Sequence, residues 1–199
     1  MDFNTDKLHA IAAAQGVSLD PAVLANAQTR QSFVGRHKWG VECYDKDGNL
    51  KWTDTFKNIV VNEGLDDILT QYWTGSGYTA SFFVGLTDGT PTVAAGDTLD
   101  SHAGWVEITA YLMSPDVKPT LTLGAVASQS VDNSASVAAF SITGTATVGG
   151  AFITTDNSRL IGSPLGGILV AAGAFTGGDR AVANGDTLNV TVTLTASSS

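Results

Sequence analysis

The sequence predicts a mainly β protein, a β-sandwich with one short helix after its first hairpin and a partly helical N-terminal arm. Three observations predict it. Charged residues make up only 15% of the chain, while 22 glycines accompany many Thr, Ser, Val and Ala, a composition suited to short strands and tight turns. Leu188, Val190, Val192 and Leu194 alternate with Asn189, Thr191, Thr193 and Thr195, so one face of that strand meets a core and the other meets water. Short apolar runs recur between Gly/Asp/Asn turn signals from about residue 38 to the C-terminus.

Residues 1–37 read as an arm. Leu8, Ile11 and Ala12 fall on one face of a helical stretch over 6–15 that Gly16 ends. A second stretch starts at Ser18 or Asp20 with Pro21 in its first turn and runs through Val23, Leu24 and Ala27 toward Arg30. Isolated helices this short are marginal in water. They pack either on their own body or on a neighbouring subunit.

The body is assigned to residues 38–199. Trp39, Val41 and Cys43 alternate with Gly40, Glu42 and Tyr44, the turn Asp45-Lys46-Asp47-Gly48 follows, and 50–56 returns, a hairpin in which Trp39 and Trp52 are placed to pair. The turn resembles a calcium loop only in part, because Phe56 stands where the bidentate acid belongs. Asn62 is expected to cap a helix whose apolar side is Val61, Leu65, Ile68, Leu69 and Tyr72, with Glu63, Asp66 and Asp67 in its first turn. That helix is expected to cover one end of the sandwich. Strands are expected over 81–86, 105–112, 120–123, 138–148, 150–154, 165–171 and 187–195. Gly-Asp-Thr-Leu occurs at 96–99 and at 185–188; without matching flanks it reads as a turn-into-strand device.

Ten basic residues against nineteen acidic ones, a net charge of −9, argue against a phosphate-binding surface, so no nucleic-acid partner is expected. Residues 1–58 hold seven basic and seven acidic groups, and 59–199 hold three and twelve, which points to contact for the first part and solvent for the second. Cys43 is alone and reads as a small buried hydrophobe. The N-terminus lacks a basic stretch followed by an apolar one, so no signal peptide is expected. Residues 160–178 carry no charge, but six glycines and Pro164 make them a poor spanning helix and a better pair of buried strands; no membrane partner is expected.

The pattern predicts no enzyme, no cofactor, no metal site and no catalytic residue. No Gly-x-Ser-x-Gly elbow and no phosphate loop occur. His9, His37 and His102 lack metal-ligand spacing, and His102 beside Trp105 reads as a loop lock with its ring nitrogens satisfied by backbone. Asp66/Asp67 and Asp97/Asp100 stand at a helix start and a turn, ordinary places for Asp. The four tryptophans fill a core or, in the alternative, form a sugar-stacking platform.

Three blocks carry a resemblance. They are residues 52–66, with Trp52, Phe56, Asn58, Asn62, Gly64 and Asp66; Phe83-Val84-Gly85-Leu86-Thr87 with Gly96-Asp97-Thr98-Leu99 and Ser101-His102-Ala103-Gly104-Trp105; and Phe140 to Ile142 through Gly150-Ala151-Phe152 to Gly185-Asp186-Thr187-Leu188-Asn189-Val190. Together they resemble virion proteins of tailed bacteriophages, in particular capsid decoration or cement proteins. The resemblance implies a jelly-roll-like sandwich on the outer surface of the capsid, made in the host cytoplasm, with the major capsid protein and other copies of itself (a dimer or trimer) as partners. It transfers no catalytic residue. The arm lies outside it; from the residues alone, Phe3, Leu8, Ile11, Leu24 and Phe33 are its expected apolar contacts and Arg30, Arg36 and Lys38 its charged ones. The alternatives are a tail or fibre component, or a carbohydrate-binding module displayed on the virion.

Overall fold

A computed structural model describes residues 33–74, 81–111, 118–158 and 167–198. The expected arm helices lie outside them. The elements run β1 (Phe33–Tyr44), β2 (Leu50–Lys57), β3 (Ile59–Val60), α1 (Asn62–Ile68) continued by a π-helical turn (Leu69–Trp73), β4 (Phe83–Asp88), β5 (Ser130–Asp132), β6 (Ala138–Ser141), β7 (Ala146–Thr154), β8 (Leu169–Ala174), β9 (Arg180–Val182) and β10 (Thr187–Ser198). They form two antiparallel sheets. One is ordered β2-β1-β10-β5 with β6 also on β10, and the other β3-β8-β7-β4 with β9 also on β7. The described residues are therefore mainly β with one short helix, consistent with a sandwich. The first strand starts at Phe33, five residues before the body was expected to begin at Lys38.

The alternating strands meet across one core. Trp39, Val41 and Cys43 of β1, Phe140 of β6 and Leu188, Val190 and Val192 of β10 pack with Val84 and Leu86 of β4, Val148, Ala151 and Ile153 of β7, and Val182 of β9. Burying a side chain of this size stabilises the fold by about 1.5–3 kcal/mol. In the first hairpin Trp39 faces Phe56, their rings 5.3 Å apart, whereas Trp52 faces Cys43, so the expected Trp39–Trp52 pair is not the one formed. Cys43 is buried, and burial first, then the nearby Asp186 carboxylate, pushes its thiol up to about 11. The hairpin turn uses Gly48 at φ 82°. Asp45 Oδ1 accepts from the N–H groups of Asp47 at 2.9 Å and Asn49 at 2.8 Å, so that carboxylate is engaged within the turn.

Strand β7 is buried on both faces from Val148 to Thr154, because the outer face of its sheet carries a second cluster: Val61, Leu99, Trp105, Phe152, Leu169 and Ala172. Gly85 stands opposite Phe152 in the ladder, and a Cβ at 85 would fall 2.1 Å from the Phe152 ring. The strand expected over 105–112 forms no continuous ladder. Its residues reach the free edge of β4 through single bridges, Ile108 N donating to Leu86 O at 2.9 Å, and 119–121 do the same further along, Leu121 N donating to Phe82 O at 2.7 Å. The expected strand over 138–148 divides into β6 and the start of β7, which continues without a break through the expected separate strand over 150–154.

Elsewhere, too, one strand is met by two interrupted partners. Between β5 and β6 the ladder register on β10 shifts, and Asn133 fills the gap: its Oδ1 accepts from Val192 N at 2.7 Å and its Nδ2 donates to Val190 O at 3.1 Å. The side-chain amide stands in for a peptide group, which leaves the buried backbone paired. The two Gly-Asp-Thr-Leu copies are one device. Asp97 Oδ2 accepts from Ala94 N at 2.9 Å and Asp186 Oδ2 from Ala183 N at 2.8 Å. In each copy the aspartate's own N–H donates back to the same alanine's carbonyl, at 3.1 and 3.0 Å. Each turn then delivers a buried leucine, Leu99 or Leu188.

Candidate interaction surface

The chain leaves β2 at Lys57, crosses to the other sheet as β3, and turns into α1. Both β3 and α1 lie on β8: Ile59 pairs with Ala172, Val60 with Ala171, and Val61 N donates to Val170 O at 3.2 Å. The helix is held by its glycine. A Cβ on Gly64 would sit 2.3 Å from Val170 O, so no other residue allows this approach. Val61 is the N-cap residue, and no side chain caps the helix, which corrects the expectation at Asn62. Glu63, the first-turn acid, is used elsewhere: its Oε2 accepts from Leu169 N at 2.7 Å and Leu99 N at 3.2 Å, tying the helix to β8 and to the 94–101 loop.

Packing through Gly64 keeps Val61 of the expected core face buried and turns Leu65, Ile68 and Leu69 outward. Leu65 is 40% exposed, Ile68 39% and Leu69 55%; just before them Ile59 is 42% exposed. Four of the eight large hydrophobic residues exposed among the described residues thus fall within 59–69. Scattered exposed apolar groups are ordinary; a run of them on one edge marks an interaction site.

The two ends of this edge differ in charge. At the β2 end Lys38 and Lys57 stand directly opposite each other, both exposed and without an ion pair among the described residues. Like charges so placed cost stability. They border a groove of about 620 Å³ lined by His37, Lys38, Thr55, Phe56, Lys57, Asn58, Thr176 and Thr195. At the helix end Asp66 is exposed, and Glu63, Asp66 and Asp67 line a second depression of about 470 Å³ with Thr70, Thr98 and Ile168.

His37, in the basic groove, is half-buried, and its Nδ1 lies 3.0 Å from the Asn58 side-chain amide, within hydrogen-bond distance. Burial lowers the imidazole from 6.5 to about 4. Between these values the unfolded chain binds a proton that the folded chain refuses, so stability is full above the higher value and falls as pH drops toward the lower. With allowance for its partial exposure, the loss by pH 4 is about 2 kcal/mol. Denaturant titrations of wild type and His37→Gln from pH 7 to pH 4 are expected to show a shallower decline for the variant.

Of the residues singled out for chemistry, Asp97 and His102 are engaged in holding loops. His102 stacks on Trp105, ring centroids 3.7 Å apart and 17° from parallel, as a loop lock; its Nδ1 is buried without a hydrogen bond, contrary to the expected backbone partner. Trp39 and Trp105 are both in cores, so neither belongs to an exposed aromatic platform. Sequence reasoning missed a buried pair: Lys118 Nζ lies 3.4 Å from Glu107 Oε2 and donates to Ser158 O, while Tyr111 donates to Glu107. Burial pushes the Lys118 ammonium below its ordinary value against the pull of Glu107. It also missed Asp54, whose carboxylate accepts from Thr176 N at 3.0 Å, Gly177 N at 2.9 Å and Arg180 Nη2 at 3.3 Å, joining the two sheets.

Of the expected contact residues, Phe3, Leu8, Ile11, Leu24 and Arg30 lie outside the described residues. Phe33, Arg36 and Lys38 are on β1, which places the last three in a sheet strand. No helix among the described residues is long and apolar enough to cross a membrane; 169–174 of the uncharged stretch form β8. Comparison of the chain with protein-family models, with curated proteins and with solved structures found no match.

Proposed function

We propose that the protein is a virion structural protein of a tailed bacteriophage that binds the assembled capsid as a decoration or cement protein. In this reading a jelly-roll-like body stands on the outer surface of the shell, residues 1–32 reach a neighbouring major capsid protein, and no bond-making chemistry is involved. The observation that carries the reading is the exposed apolar edge over 59–69, on a body whose buried acids and lysine are committed to holding its own loops. Such a body works by adhesion. The resemblance of three sequence blocks to phage virion proteins adds the kind of partner, and in this reading an acidic outer surface keeps particles apart.

A ligand of the lattice that ignores the loose subunit stabilises the lattice by mass action. The purified full chain, mixed with preformed capsids or with unassembled capsid subunits, is expected to co-sediment with the capsids only. Binding to neither, or to both alike, contradicts the proposal. The arm is tested by removing residues 1–32, which leaves β1 whole; removal of 1–36 would cut into it. At full extension such an arm spans about 110 Å. Undiminished capsid affinity after the deletion removes the arm from the account.

A further inference from the structure

We infer that the edge from Lys57 to Leu69 is a self-association surface, on which a second copy of this chain docks about a two-fold axis. The inference names an occupant for the same exposed edge that carries the capsid reading, and its test uses the purified protein alone, so the two can fail separately. Three observations carry it. First, the apolar middle of the edge is concentrated: Ile59, Leu65, Ile68 and Leu69 are each at least 39% exposed. Second, the edge carries both signs of charge at separate places, Lys57 and its cross-strand neighbour Lys38 bordering one groove and Asp66 of the helix lining a different depression with Glu63 and Asp67. Third, the lysine pair has no counter-ion among the described residues, although such a pair is costly in isolation.

An edge with exposed apolar side chains and separate basic and acidic sites is complementary to itself when turned end to end. A two-fold axis through its middle brings the apolar side chains of both copies together and sets Asp66 of each against Lys57 of the other. That is an isologous contact, in which one patch serves both copies and each charge pair occurs twice. A partner copy would thus supply the acid that the lysine pair lacks, beside the groove that Lys38 and Lys57 border. A partner carrying a single sign of charge would match only one end.

The contact predicts a reciprocal charge exchange, read by sedimentation equilibrium at concentrations up to about 100 μM. Wild type is expected to dimerise. Lys57→Glu and Asp66→Lys each turn two attractive pairs into two repulsive ones, and each should weaken self-association by about tenfold or more. Mixing the two variants should restore a heterodimer, because position 57 of each then opposes a position 66 of the other sign. Leu69→Ser, which changes no charge, should weaken the dimer as well. All three sites are exposed, so native near-ultraviolet circular dichroism is expected throughout. A wild-type protein that stays monomeric over this range overturns the inference. So does a dimer that natively folded Lys57→Glu and Asp66→Lys leave as tight as wild type, or a mixture that fails to recover association.

Discussion

Replacing Gly149 by alanine is expected to lower the stability of the protein by about 3 kcal/mol or more, or to prevent folding altogether. Gly149 lies at the point on β7 where its partner strand changes, with Val148 facing Arg180 of β9 and Gly150 facing Ala174 of β8. Its carbonyl accepts from Phe175 N at 2.7 Å, which pins the chain between those two strands. On its other side the Gly89–Thr90 backbone crosses so closely that a Cβ at 149 would stand 2.0 Å from Gly89 C and from Thr90 N. Those atoms are main chain, in a turn where Gly89 has φ 75°, so they cannot swing aside as a side-chain end would. Relief would require moving β7 or the turn, and β7 is the strand on which that sheet is built. Equilibrium denaturation gives the number. Gly96→Ala, at a position where a Cβ meets nothing within 4 Å, is the matched control and should cost little.

Asp54→Ala is expected to cost about 3 kcal/mol. Asp54 lies in β2 of one sheet and is 7% exposed; its carboxylate receives two backbone N–H groups from the 175–179 connection and the guanidinium of Arg180 in the other sheet. Removing it leaves those donors in a partly buried place without an acceptor, and unmade bonds cost more there than made ones contribute. The connection is shaped around this carboxylate. Gly177 comes so close that a Cβ there would meet Asp54 Oδ2 at 2.7 Å and collide with the Arg180 guanidinium. Asp54→Asn keeps one acceptor oxygen and should lose less than the alanine variant. Equal losses for the two would argue against the hydrogen-bonding account.

The parts of this fold that are local in sequence were legible in it. The first hairpin follows from alternation and an Asp-Gly turn, β10 from eight residues of strict period two, and the repeated Gly-Asp-Thr-Leu device from its own tetrapeptide. Where strands break was not legible, because the breaks are bridged from far away: Asn133 completes β10, and Asp54 holds the gap between β8 and β9. Neither polar residue looks unusual beside its neighbours in sequence. The burial of β7 on both faces depends on a loop that returns to lay Trp105 against Phe152.

The helix teaches the same lesson with the opposite sign. Its period of apolar residues is real, and a helix forms there, but periodicity does not say which side a partner takes. Gly64 packs on Val170 and Val61 is buried, while Leu65, Ile68 and Leu69 of the same apolar side stand at the surface. The mismatch between pattern and burial is what singles out the proposed interaction surface; no motif marks it. Of the arm contacts expected from sequence, only Lys38 is a described side chain, and it borders that surface.

The account is centred on adhesion to an assembled shell, and the most direct measurement is the position and copy number of this chain in purified particles, by electron cryomicroscopy with quantitative mass spectrometry. The account predicts density for the two-sheet body on the outer face of the capsid, at junctions between coat subunits and in a fixed ratio to them. Particles that lack the chain, or that carry it only on the tail, would contradict it.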